Sequence, residues 1–173
     1  MQRSGSLRGS GAWLAERDLR VVLVCNRGAS RATIAVLRAA SKLGDGLLWV
    51  ALVPILAAAV DGPAALRWAG ALATAGLTYR LAKQWTGRER PHVACAEIEL
   101  LEAPLDRYSF PSGHTLHAVA AAVVVSDTVP GAGWLLWPFA ALVAASRIVL
   151  GLHYPSDVVA GAAVGLAIGL AWT

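Results

Sequence analysis

Five segments of the chain are almost unbroken runs of apolar residues, at about 43–60, 64–81, 113–129, 132–146 and 158–172. Each is 15 to 18 residues long, a little under the ~20 a helix needs to cross a hydrocarbon core of ~30 Å. Such lengths suit short helices whose ends reach the headgroup region. No period-two alternation marks a strand, and no internal repeat is visible. The pattern predicts an all-α, integral membrane helical bundle of about five spans over residues 43–173. Asp61-Gly62-Pro63 and Pro130-Gly131 supply tight connectors. The last segment carries Gly161, Gly165 and Gly169 at four-residue spacing. That small-residue stripe lets another helix approach closely.

Residues 12–42 follow a different pattern, in which apolar positions alternate with Arg20, Arg27, Arg31 and Arg38. A membrane crossing here would bury several arginines at about 2.5 to 3.5 kcal/mol each. The segment instead predicts one or two amphipathic helices lying in the membrane interface. Residues 1–11 are rich in Gly, Ser and Arg and are expected to form a disordered basic tail.

Composition narrows this picture. Of 173 residues, 57% are hydrophobic and 15% charged, against roughly a quarter charged in an average soluble domain. One domain fits that length. Disorder of the whole chain is excluded, and a soluble globule would lack polar residues to cover its surface. The net charge of +4 is uneven: residues 1–42 hold eight basic residues against Glu16 and Asp18. The rest of the chain is net acidic. A basic segment beside apolar spans predicts contact with anionic lipid headgroups. Nucleic acid is not an expected partner, because no basic, aromatic-interleaved surface follows. Cys25 and Cys95 form no metal-ligand or CxxC spacing. The reading admits a homo-oligomer.

With five spans after the interfacial segment, connectors 61–63 and 129–131 share one membrane face. The long loop 82–112 and the loop 147–157 share the other. Three polar clusters then collect on that second face: Lys83-x6-Arg90-Pro91, Pro111-Ser112-Gly113-His114, and Ser146-Arg147-x5-His153-x3-Asp157. Ionisable residues at membrane depth are functional candidates, because leaving them unpaired there is expensive. Lys83, Arg90 and Arg147 provide charge and directed donors for phosphate oxygens. Pro111 to His114 opens a helix whose free N–H groups attract an anion, with Ser112 as N-cap and donor and Gly113 allowing close approach. His153 and Asp157 are spaced so that the carboxylate orients one ring nitrogen and leaves the other as a nucleophile. His114 is placed to act as general acid and base.

These clusters closely resemble the three-part signature of the type 2 phosphatidic acid phosphatase family, and every fixed position matches. The third motif alone is expected by chance roughly once in a thousand such chains, given residue frequencies near 5%. The resemblance implies that His153 forms a phosphohistidine, Asp157 orients it, and His114 protonates the leaving group and then activates water. It implies that Lys83, Arg90, Ser112, Gly113 and Arg147 hold the phosphoryl oxygens. It implies no metal and no cofactor. A polyprenyl (pyro)phosphate is the favoured substrate. Phosphatidylglycerophosphate, phosphatidate and a polyprenyl phosphosugar are alternatives. A non-catalytic lipid-binding protein is the rival class, opposed by the presence of His153, Asp157 and His114 together.

The resemblance also implies a bacterial inner membrane protein with an extracytoplasmic site, whereas the N-terminal arginines on the same predicted face favour the cytoplasmic side. Among the remaining polar residues, His117 is expected in packing and His92 in a loop. Arg80, Arg88 and Arg107 are expected to add to the positive field or to meet headgroups. Glu97, Glu99 and Glu102 are expected to form a solvated acidic loop. Most of the seven Trp residues lie near span ends and are expected to anchor at the interface.

Overall fold

A computed structural model describes residues 9–60 and 62–173. The basic tail expected over residues 1–11 falls outside the described residues up to residue 8, as does Asp61 of the first connector. The described chain is helical without a strand. Its elements are α1 (Gly9–Gly28), α2 (Arg31–Leu43), α3 (Gly46–Ala59), α4 (Gly62–Thr86), the single turn α5 (Pro91–Ala94), α6 (Gly113–Thr128), α7 (Gly133–Val149) and α8 (Pro155–Ala171). All five apolar segments are helices. The amphipathic segment forms two, divided where Ser30 caps α2 by accepting a hydrogen bond from the Thr33 amide.

The bundle is built around α6. Its residues Ala118 to Val125 are buried without a break, because α4, α7 and α8 surround it. Alanine and valine are small enough for those neighbours to pack closely. The glycine stripe of α8 faces this helix. A Cβ at Gly161 would lie 2.6 Å from the Ser112 carbonyl oxygen, and one at Gly169 would lie 2.6 Å from Val123 Cβ. The helix that the stripe admits is therefore α6 of the same chain.

Two departures from expectation shape the rest of the molecule. Trp49 and Trp68 are core residues, not interfacial anchors. Their ring centroids are 6.3 Å apart, with Phe139 at 6.0 Å from Trp49. Their indole N–H groups donate to the carbonyls of Gly44 and Trp49, which removes the need for a watery end. Trp85 and Trp134, by contrast, are exposed. The second apolar segment also continues past residue 81, because no breaker intervenes before Gly87, whose φ of +57° suits glycine. Lys83 therefore projects from the last turn of a helix.

Among the described residues, no helix is both long and apolar enough to cross a membrane. Helices α6, α7 and α8 have 16 to 17 residues. The 25-residue α4 is interrupted by Arg67, Arg80 and Lys83. Large apolar side chains nonetheless point outward from several helices, including Leu66, Leu77, Trp134, Leu135 and Leu170.

Candidate active site

The three polar clusters meet at one end of the bundle. The end of α4 and its following loop bring Lys83 and Arg90, the start of α6 brings Gly113 and His114, and the end of α7 with its loop brings Arg147 and His153. These six of the eight expected site residues line one cavity. Asp45, Tyr79, Asp106 and His117 line it as well. The other two stand behind the wall. Ser112 is fully buried and its hydroxyl hydrogen-bonds Thr115 Oγ1 at 2.9 Å, so it caps α6 and does not face the cavity. Asp157 is buried in the first turn of α8, where its Oδ2 accepts from the Tyr154 amide at 2.9 Å.

His153 is 1% exposed. Its Nδ1 lies 3.6 Å from Asp157 Oδ2 and has no hydrogen-bond partner. That separation is just too long for a hydrogen bond, and such contacts often tighten when a ligand binds. Its Nε2 lies 3.3 Å from Arg90 Nη1. Burial pushes the His153 pKa well below the ordinary histidine value, and the charges of Arg147, Arg90 and Lys83 push it further. The ring is therefore neutral at neutral pH. With Asp157 favouring a proton on Nδ1, the lone pair is on Nε2, where Arg90 Nη1 donates to it.

Asp106 was not anticipated from the sequence. Its Oδ1 accepts from Lys83 Nζ at 2.7 Å and from Arg90 Nη2 at 2.9 Å. Burial alone would raise its pKa, but the Lys83 hydrogen bond and the charges of Lys83 and Arg90 outweigh that and hold it below the usual carboxylate range. Asp106 thus occupies the donors expected to meet phosphate. An entering oxyanion must share or displace it. Asp106→Asn is expected to tighten vanadate or phosphate binding about tenfold, equivalent to ~1.4 kcal/mol. Weaker binding, read by titration, would show instead that Asp106 positions the two cations.

Arg147 lines the cavity while its Nη1 donates to Ser41 and lies 3.5 Å from Glu102 Oε1. Its Nε is buried without a partner. Glu102 is consequently not a solvated loop residue: it reaches inward, accepting from Ser41 Oγ at 2.6 Å. Glu97 remains at the surface, paired with Arg27 at 2.6 Å. His117 borders the cavity, with Nδ1 2.8 Å from the Gly113 carbonyl and its ring edge-on to Tyr79. His92 Nδ1 lies 3.1 Å from the Gly151 carbonyl, tying α5 to the loop before α8. Cys25 and Cys95 are free thiols.

Arg88 differs most from expectation. Its Nη1 donates to Asp157 Oδ1 at 2.6 Å and its Nη2 to Asp18 Oδ2 at 2.8 Å. The sequence carried one hint of this: Asp18 and Glu16 are the only acids among the first 42 residues. An acid retained in so basic a segment is a candidate for a specific ion pair.

In chemical terms, three cations and a helix N-terminus converge on a cavity lined by a buried neutral imidazole whose Nε2 lies beside Arg90. Such an arrangement suits a tetrahedral oxyanion set against a nucleophile. The chain is also similar to known proteins in sequence and in fold. The chain is 40% identical over 131 residues to decaprenylphosphoryl-5-phosphoribose phosphatase of Mycolicibacterium smegmatis, covering 72% of this chain and 68% of that one. It is 43% identical over 67 residues to undecaprenyl-diphosphatase of Sulfolobus acidocaldarius, covering 38% of this chain and 32% of that one. The fold matches the crystal structure of Aquifex aeolicus LpxE with a TM-score of 0.81 at 25% identity, over 89% of this chain and 93% of that one. The sequence profile of the PAP2 superfamily matches residues 64–173, which hold all three motifs and most of the bundle, and the chain belongs to that superfamily.

Proposed function

We propose that this phosphatase hydrolyses a polyprenyl phosphate ester or diphosphate through a phosphohistidine, at the face of a membrane. The enzyme class itself, a phosphate-ester hydrolase acting on lipid phosphates, follows from membership of the family. One observation carries the mechanism: a neutral, buried His153 has Nδ1 facing Asp157 and Nε2 facing a cationic cavity.

In the first step Nε2 attacks phosphorus and the bond to the leaving oxygen breaks. His114, protonated when the negatively charged phosphate enters the cavity, donates that proton to the leaving oxygen. Positive charge develops on His153, and Asp157 lies 3.6 Å from its Nδ1 to compensate it. Lys83, Arg90, Arg147 and the amides opening α6 hold the phosphoryl oxygens. In the second step His114 takes a proton from water, which attacks the phosphohistidine and releases phosphate.

A specific observation supports a polar leaving group. A second pocket adjoins the cavity on the His114 side, lined by Arg38, Lys42, Asp45 and Glu102. The general acid must contact the leaving oxygen, so the group bearing that oxygen reaches this pocket, where Ala103 and Leu105 stand beside the charged side chains. A polyprenyl monophosphate leaving from a diphosphate fits it, and so does a polyprenylphosphoryl sugar leaving through the sugar hydroxyl that carried a terminal phosphate. Similarity to a decaprenylphosphoryl-5-phosphoribose phosphatase favours keeping both.

In the membrane, α3, α4, α6, α7 and α8 are the five spans of this reading, with α1 and α2 at the interface. Support comes from the outward apolar side chains and from the exposed Trp85 and Trp134. The test is a panel of lipids assayed in detergent with a chelator present. The panel holds a polyprenyl diphosphate, a polyprenyl phosphosugar, phosphatidylglycerophosphate and phosphatidate. Phosphate release fastest from either polyprenyl compound is expected. Faster release from phosphatidate would reject the polar leaving-group reading, and no release from any would favour a lipid-binding role.

A further inference from the structure

Helix α1 lies outside the residues matched by the family profile, yet one of its side chains reaches the site. Asp18 is 4% exposed. Its carboxylate accepts from Arg88 Nη2 at 2.8 Å, from the Ser156 amide at 3.1 Å and from the Ser156 hydroxyl. Arg88 spans the gap to Asp157, donating Nη1 to Asp157 Oδ1 at 2.6 Å and to Ser156 Oγ at 2.7 Å. Its guanidinium lies 4.1 Å over the Tyr154 ring. Asp157 thus has Oδ1 held by Arg88, while Oδ2 is held by the Tyr154 amide and faces His153.

We propose that α1 completes the catalytic centre: Asp18 is a positioning residue that acts through Arg88 to keep one oxygen of Asp157 turned toward His153. The proposal rests on the reading of His153 as nucleophile given above. The physical reason is the shape of the guanidinium. A free arginine fork takes both oxygens of a carboxylate in parallel. Asp18 holds one prong, so Arg88 offers Asp157 only the other, and Oδ2 stays with the imidazole. Burial alone would lower the Arg88 pKa, but the Asp18 hydrogen bond and the charges of Asp157 and Asp18 raise it above its ordinary value. The guanidinium is thus held as a permanent cation between two acids.

Contacts besides those of Asp18 dock α1. Val22 packs with Ile98 and Tyr154, and the Asn26 side chain bonds Glu99 at both its amide and its carbonyl, and also the Val149 carbonyl. Loss of the Asp18 charge therefore separates positioning from folding. The experiment compares wild type, Asp18→Asn and Asp18→Glu, as purified full chains in detergent, on the lipid hydrolysed best in the panel. Asp18→Asn keeps the size of the side chain and removes its charge. Its kcat is expected to fall about 10- to 100-fold, the range seen when a supporting contact behind a reactive group is lost. KM should stay within about twofold, the melting temperature should hold, and Asp18→Glu should recover part of the kcat. An unchanged kcat in Asp18→Asn overturns the proposal, as does a fall in kcat that tracks a fall in melting temperature. A wild type that releases no phosphate from any lipid overturns the functional reading and this inference with it. An active wild type with an unaffected Asp18→Asn overturns this inference alone.

Discussion

His153→Ala is expected to lower kcat by about 10⁴-fold or more, while the protein still binds its lipid substrate. Loss of a nucleophile removes the covalent route itself, and no neighbouring group replaces it. His114, the other histidine of the motifs in the cavity, opens α6 and is assigned to proton transfer. The cations that hold phosphate are untouched, so KM should change far less than kcat. The decisive measurement pairs steady-state phosphate release with rapid quenching of labelled substrate. Wild type should accumulate an acid-labile, base-stable phosphoenzyme, and His153→Ala should form none. Turnover within tenfold of wild type in that variant would reject the phosphohistidine route.

Gly161→Val is expected to have the second largest effect, on both stability and rate. A Cβ at this position would fall 2.6 Å from the Ser112 carbonyl oxygen, which is backbone and cannot rotate away. Helix α8 must therefore move off α6, at a cost of about 3 kcal/mol for an overpacked contact. The same movement reaches the site. Ser112 donates its amide to the Asp157 carbonyl at 3.0 Å, and Gly113 and His114 follow it directly in α6. A shift of ~1 Å in reacting groups costs about 10²-fold in kcat. Gly62→Ala is the control. It lies at the start of α4 with nothing within 4 Å of its added Cβ, so its melting temperature and kcat should match wild type. Equal behaviour of the two variants would show that the α6–α8 contact does not set the site's geometry.

Much of this molecule is legible in the order of its residues. The five apolar segments are helices, as apolar runs of 15 to 18 residues without strand alternation favour. The glycine spacing in α8 revealed a close helix contact before its partner was known. The three motifs announced six cavity residues, since each motif lies at a helix end or in the loop beside one, where local geometry decides which way a side chain projects. Trp49 and Trp68 show where such local reasoning stops. Proximity to a span end favours an interfacial indole, but burial depends on what lies opposite, and only packing brings Phe139 there.

The partners of the residues that support the site were not legible for a related reason. Asp106, Glu102, Arg88 and Asp18 belong to none of the three spacings, and their partners are distant in the chain. Asp18 and Arg88 are 70 residues apart, and Arg147 reaches Ser41 across 106. A charged side chain in a loop looks the same in sequence whether it is solvated or paired. Its partner is chosen by the fold, which brings α1, α2 and the long loop over one end of the bundle.

The sequence by itself determined the helices, the chemistry of the motifs and the family, because these follow from periodicity and short-range spacing. Only the tertiary structure decided that Asp106 rests on Lys83 and Arg90, that Ser112 faces away from the cavity, and that Asp18 stands behind Arg88 and Asp157. Those outcomes depend on which buried charges can neutralise one another in three dimensions, and electrostatic pairing at low dielectric acts on distance in space, not on distance along the chain.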